Sequence, residues 1–247
     1  MLSKNQIKLI NSLQQKKYRN LQNLFIVEGE KGVNEFLESK IELHSLYYTD
    51  TFKLTKEGSQ YFSVTEKDLK KISQLKTPNN VLAVFHKPVS KSIKEKGLTL
   101  VLDAIKDPGN LGTIIRLCDW FNVTQLICSL ETVDCFNPKV VQATMGSLIR
   151  VPIVYTDIIP FLENTTTPFY VAMMEGDNIY KTTLPKEAIL IMGNEADGIS
   201  NAVWSMAKNR LMIPRINNSQ KPESLNVATA TAVLLSEFNR AFTQKLD

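Results

Sequence analysis

Histidine is nearly absent from this chain. Its 247 residues include two, His44 and His86, both in the first half. A histidine-based triad and a histidine-rich metal site are thereby excluded from the second half. Cysteine is scarce as well. Cys118, Cys128 and Cys135 form no CxxC pair and are odd in number, so each reads as a buried or idle thiol. No apolar run approaches the length that spans a bilayer. The opening MLSKNQIKLINSLQQKK is polar and basic, without the apolar core of a signal peptide. The expected location is the cytoplasm, with no membrane association and no metal. A dinucleotide fingerprint is missing too: Gly109-Asn110-Leu111-Gly112 is not GxGxxG, so a nicotinamide cofactor is not indicated.

What is present is ordinary in bulk and uneven in distribution. A hydrophobic fraction of 43% and a charged fraction of 22% fit a globular chain with a sizeable core, in one large domain or two smaller ones. Residues 1–98 hold 17 Lys and Arg against 10 Asp and Glu, and the rest hold 12 against 15. A basic front half suits contact with a polyanion; a lysine-rich solvated surface would look the same.

The pattern along the chain predicts an α/β protein in two parts. Residues 3–13 read as an amphipathic helix and QQKKYRNLQN as a basic loop around Tyr18. LFIVE is a strand, Gly29 a turn, and the segment after it a helix. IELHSLYYT, YFSV and NVLAVFHKP are strands, and Thr65 opens a helix between the last two. Residues 1–90 form a small α/β domain and 91–98 a polar linker. Residues 99–247 form a second domain, with strands LTLVLDAI, QLICS, RVPIVY, FYVAMM, AILIMG and RLMIP separated by helices. Near-continuous apolar strands of this kind indicate a parallel sheet covered on both faces, with ligands at the carboxyl ends of its strands.

Three of those ends carry unusual polar residues. After the first strand, Asp107-Pro108-Gly109-Asn110 is a tight loop in which Asn110 is placed to cap a helix. Arg116 lies on that helix among apolar neighbours. It either snorkels to solvent or holds a phosphate. AILIM runs straight into Gly193-Asn194-Glu195 and Gly198, where glycine lets a ligand approach the backbone. After Ile213-Pro214 comes Ser224-Leu225-Asn226-Val227, then a run of small and apolar residues. Either Ser224 caps a helix, with Pro222 and Glu223 suiting its start, or the polar pair faces a ligand.

Taken together, Asn110-x5-Arg116, Gly193-Asn194-Glu195-x2-Gly198, and Ile213-Pro214 followed by Ser224-Leu225-Asn226-Val227 resemble the three motifs of the SpoU (TrmH-like) RNA ribose 2′-O-methyltransferases. These belong to the SPOUT superfamily. The front half, from NQIKLINSLQQKKYRNLQNLFIVEGEKGVNEFL onward, resembles the substrate-binding domain that often precedes them, which is similar to an RNA-binding ribosomal-protein fold. The resemblance implies a deep trefoil knot near the carboxyl end of the sheet, with S-adenosylmethionine bent inside it. It places Met192, Gly193, Gly198, Ile213, Pro214 and Leu225 at the cofactor. It makes Asn110, Arg116, Glu195, Ser224 and Asn226 the catalytic set, and puts Lys16, Lys17, Tyr18 and Arg19 against RNA. It also implies a homodimer, for which VWSMA and AVLLSEF offer candidate surface.

The implied reaction is methyl transfer to a ribose 2′-hydroxyl, with ribosomal RNA expected ahead of transfer RNA because of the appended front domain. Retention of Asn110, Arg116, Glu195, Ser224 and Asn226 argues against a non-catalytic assembly factor. The Asn-x5-Arg and Ser-Leu-Asn-Val features favour ribose over base methylation. The chain departs from the family between Pro214 and Ser224, where its loop is longer and lacks glycine. Asn217 and Asn218 are expected to supply any positive φ there. Ala228 stands where serine is frequent. Both departures bear on the adenine side of the pocket.

Overall fold

The computed structural model describes residues 2–54, 58–89, 92–94, 96–194, 196–216 and 224–243. The chain packs as two compact units, Met1–Val89 with Asp134–Arg150, and Ser90–Val133 with Val151–Asp247. The sequence reading kept 99–247 together; the stretch 134–150 differs by packing within the first unit.

In the first unit the chain runs α1 (Lys4–Ser12), α2 (Lys16–Gln22), β1 (Leu24–Glu28), α3 (Glu30–Glu38), β2 (Leu43–Tyr48), β3 (Tyr61–Ser63), α4 (Glu66–Lys70) and β4 (Val81–His86). The strands form one sheet in the order β1-β4-β2-β3. β4 is antiparallel to β1 and β2, and β3 is parallel to β2. Local signals explain the helix starts. Ser3 and Gln6 exchange side-chain and backbone hydrogen bonds in a capping box, and the Thr65 hydroxyl accepts from the Asp68 N–H. Side chains alternate across the sheet. Ile26 and Val84 meet Ile10, Leu13, Leu69 and Ile72 on one face. Phe25 and Phe85 meet the ring of Phe36, at centroid distances of 5.6 and 5.3 Å.

Beyond β4 come β5 (Leu98–Leu102), α5 (Pro108–Trp120), β6 (Gln125–Cys128), α6 (Pro138–Thr144), β7 (Ile153–Tyr155), α7 (Ile158–Asn164), β8 (Phe169–Asn178), β9 (Ala188–Met192), α8 (Asn201–Met206), β10 (Asn209–Met212) and α9 (Val227–Thr243). All six expected strands form, in one parallel sheet ordered β10-β8-β9-β5-β6-β7. β5 and β9 are buried along their full length. Each buried Leu, Ile or Val in them contributes about 1.5–3 kcal/mol. This is why those segments read as near-continuous apolar runs. α5 packs against α9. No helix of the described residues is long and apolar enough to cross a membrane.

The basic stretch after α1 is a helix, not the expected loop. Lys, Arg, Leu and Gln are good helix formers, and Asn23 ends α2 in the left-handed conformation at φ 53°. Helical spacing separates the four residues expected at RNA. Lys16 and Lys17 are exposed. Lys17 Nζ lies 5.9 Å from the centre of the half-buried Tyr18 ring. Arg19 turns inward and is 1% exposed. Its Nη1 donates to the Leu13 and Gln14 carbonyls at 2.8 and 2.7 Å, and its Nε donates to Asp134 at 2.8 Å. A guanidinium committed to three internal acceptors cannot hold a phosphate, so Arg19 is removed from the RNA-binding set.

Asp134 belongs to the stretch that joins this unit from later in the sequence. The same stretch brings Phe136 to 4.9 Å from the Phe25 ring and lays α6 along β1, the edge strand. The Arg19–Asp134 pair is closed by an Nη2–Oδ2 contact of 2.7 Å. Removing one partner of a buried pair leaves an uncompensated charge, which costs about 3–5 kcal/mol. Asp134→Ala is therefore expected to lower the unfolding free energy of the first unit by that order, and its urea midpoint accordingly. The double change Arg19→Met with Asp134→Leu should recover most of the loss. Equal midpoints for Asp134→Ala and the parent in urea titration would refute a structural role for the pair.

Candidate active site

At the carboxyl end of β9 the backbone leaves Met192, turns through Gly193 and folds back on itself. Asn194 and Gly198 form an antiparallel bridge, each N–H donating to the other's carbonyl at 2.9 Å. Gly198 sits at φ +70°, and a Cβ added at Gly193 would lie 2.5 Å from the carbonyl carbon of Gly198. The turn thus requires glycine at both positions, one for space and one for conformation. Asn194 tightens it by accepting the Ala196 N–H at 2.7 Å. Glu195, expected to fix this loop, lies outside the described residues.

This turn, the segment after β10 and the start of α9 converge on a cavity of about 970 Å³. Met192, Gly193, Gly198, Ile213, Pro214 and Leu225 all line it, as does Ser224. The sequence reading did not single out the middle of β8, yet Met173, Met174 and Glu175 form another wall, and Trp204 of α8 stands at 44% exposure with its ring under the Arg210 guanidinium at 4.6 Å. A strand that continues past its apolar run into polar residues was the one available signal for that wall.

Asn226, not Ser224, caps α9. Its Oδ1 accepts from the Ala228 and Thr229 N–H groups at 2.9 and 3.3 Å. Its Nδ2 donates to Asn110 Oδ1 at 3.0 Å, so two motif residues 116 positions apart share one hydrogen bond. Pro222, Glu223, Asn217 and Asn218 lie outside the described residues. Asn110 likewise is not the cap of α5. Asp107 is, accepting the Asn110 N–H at 2.8 Å with Pro108 in the first turn. That leaves the Asn110 side chain available to Asn226.

Arg116 lies two turns along α5. Gly109, Thr113, Arg116 and Trp120 are exposed along one stripe of that helix, with Trp120 at 83%. Arg116 is not part of the wall of its own cavity. All three cysteines are buried and none joins a disulfide; burial pushes the Cys118 thiol far up, as an idle core thiol requires. The surface offered by AVLLSEF is largely core: Leu234, Leu235 and Phe238 are buried, and Phe238 packs edge-on to Tyr170. In VWSMA, Val203 is buried.

Comparison with known proteins bears on this geometry. Residues 97–236 match the SpoU rRNA Methylase family, and residues 4–83 match the MRM3-like substrate binding domain. A Bacillus subtilis protein named 23S rRNA (guanosine(2553)-2′-O)-methyltransferase RlmP is 30% identical, over 94% of this chain and 96% of its own length. A solved structure described as a putative RNA methyltransferase of the TrmH family from Porphyromonas gingivalis is 39% identical, covers 98% of this chain and 99% of its own, and superposes with a TM-score of 0.88. An AdoMet-bound rRNA methyltransferase from Sinorhizobium meliloti is 28% identical over 98% of this chain and 96% of its own, with a TM-score of 0.84. This chain belongs to the SpoU rRNA methylase family.

Proposed function

We propose that this protein is an S-adenosylmethionine-dependent methyltransferase that modifies a ribose 2′-hydroxyl of ribosomal RNA. The observation that carries the reading is the cavity at the strand ends, whose wall holds all six residues expected at the cofactor. Its size suits a small-molecule ligand. At Gly193 an added Cβ would displace the Gly198 backbone, so this part of the wall is bare main chain, which suits a cofactor gripped by backbone groups. When bound, the cofactor supplies an electrophilic methyl group on a sulfonium. We further propose that the chain is threaded here as the trefoil knot of its family.

The protein's own residues supply alignment and charge. Asn110 and Asn226, already joined, orient the ribose, and Ser224 meets the nucleotide or the cofactor from the wall. Arg116 is exposed and makes no ion pair or hydrogen bond with described residues, so its guanidinium is open to a phosphate. It stays protonated at neutral pH and therefore cannot be the base. It grips the target phosphate and stabilises negative charge developing on the 2′-oxygen. Because Arg116 is not on its own cavity's wall, a second copy of the chain is proposed to bring it into play. The exposed Arg116–Trp120 stripe is the surface that copy covers.

RNA affinity is assigned to residues 1–90 and methyl transfer to residues 99–247. Support comes from the basic excess at the front and from exposed Lys16 and Lys17 beside Tyr18. Cutting out 1–90 would also uncover 134–150, so point changes are the cleaner probe.

Three outcomes are expected. Arg116→Ala should lower turnover by about a hundredfold or more, with S-adenosylmethionine affinity and fold retained; Arg116→Lys should rescue poorly, since a point charge does not replace the planar fork. Near-normal turnover would remove Arg116 from the mechanism. Lys16→Glu with Lys17→Glu should weaken RNA binding and shrink its salt slope by about 2, without moving cofactor affinity; an unchanged slope would refute the RNA assignment. Trp120→Glu should yield a monomer in sedimentation with little activity, and a parent chain that is an active monomer would sink the dimer.

A further inference from the structure

We propose that Asp103 is a positioning residue for the cofactor loop, its buried carboxylate holding the turn after β9 in the shape that accepts S-adenosylmethionine. The inference rests on reading the cavity as the cofactor site. Asp103 is the residue after β5, and it is 5% exposed. Its Oδ2 accepts from the Ser200 N–H at 2.8 Å, and its own N–H donates to the Met192 carbonyl at 2.9 Å. One residue thus clamps both ends of the 193–200 turn: Met192, where the chain leaves β9, and Ser200, where it starts α8. Ser200 makes no side-chain cap of its own, so the carboxylate of Asp103 serves the start of that helix. Between the clamped ends lie Gly193, Asn194 and Ala196 through Ile199, all on the cavity wall.

A buried aspartate that fills a backbone donor is common, and alone would mean only stability. The next residue sets this one apart. Ala104 is left-handed at φ +58°, a conformation that L residues other than glycine and asparagine rarely adopt. Such a residue persists only where its surroundings over-determine it, and such residues cluster at functional sites. Here the Ala104 N–H donates to Ser129 Oγ at 3.0 Å, Ser129 pairs with Thr132 at 3.3 Å, and Thr132 Oγ1 reaches the Leu102 carbonyl at 3.3 Å. All three hydroxyl and carbonyl partners sit on buried residues. This network bends the chain off the strand axis directly after Asp103. The carboxylate then faces the β9 turn, while the main chain continues into the loop that presents Asn110. Two adjacent residues therefore fix the cofactor loop and the nucleotide loop against each other.

The test is S-adenosylmethionine binding by titration calorimetry on the full chain without RNA, well below its melting temperature. Asp103→Ala should weaken binding about tenfold or more, the loss expected for one buried charge-assisted hydrogen bond. Asp103→Asn, whose amide oxygen still accepts from Ser200, should retain most of the affinity. Ser200→Pro removes the same hydrogen bond from the other side at a compatible φ of −60°, and reads the contact even if Asp103→Ala does not fold. The double change should be no weaker than the weaker single, because both delete one interaction. RNA affinity in the same preparations should stay at the parent value. A parent chain that fails to bind S-adenosylmethionine overturns the cofactor reading itself. A parent that binds, alongside folded Asp103→Ala or Ser200→Pro variants that bind equally well, overturns the role of Asp103.

Discussion

Everything at the candidate site depends on two stretches of backbone meeting where side chains would forbid it. Gly193 has no Cβ, and one would sit 2.5 Å from the main chain at Gly198. With that space open, the turn after β9 closes on itself through the Asn194–Gly198 bridge and exposes bare peptide to the cavity. A parallel sheet makes this possible because its strands all end on the same side, so the loops after β9 and β10 arrive together beside the middle of β8. Apolar strands provide the rigid base; the loops, freed from any packing duty, carry the polar groups.

The two units use buried charge for opposite purposes. In the first, Arg19 and Asp134 neutralise each other with nearly no exposure, and the pair joins residues far apart in sequence into one packed body. In the second, Asp103 accepts main-chain hydrogen at a strand end and bears on loop shape. Each carboxylate is satisfied, as burial demands. Among the described residues no buried side-chain nitrogen or oxygen lacks a partner. Arg116, by contrast, stands exposed on α5 beside Trp120.

The position of α6 changes how the two family matches relate to packing. Sequence similarity runs continuously through 97–236 for the methylase family, but 134–150 packs with the front sheet. An edge strand left open is a liability, and α6 covers β1. The unit that matches a substrate-binding domain is thus completed by a helix drawn from within the methylase match.

Sequence alone determined the six strands, their parallel sheet and the three polar strand ends, most plainly at β5, β6 and β9, where burial on both faces calls for a near-continuous apolar run. The family resemblance carried by those strand ends also named six residues of the cavity wall, though not Met173, Met174 and Glu175 of β8. Three matters were decided only in three dimensions. Arg19 reads as one more cation in KKYR, and only the turn of α2 aims it at an acceptor 115 positions away. Asn110 and Ser224 both look like helix caps; Asp107 and Asn226 took those roles because cap geometry depends on where the helix actually starts. The bond between Asn110 and Asn226, and the hold of Asp103 on Ser200, join strand ends that are distant in the chain and adjacent in the sheet. Periodicity reports which face a residue takes; it carries no information about which strand end lies beside which, and that is set by the order β10-β8-β9-β5-β6-β7.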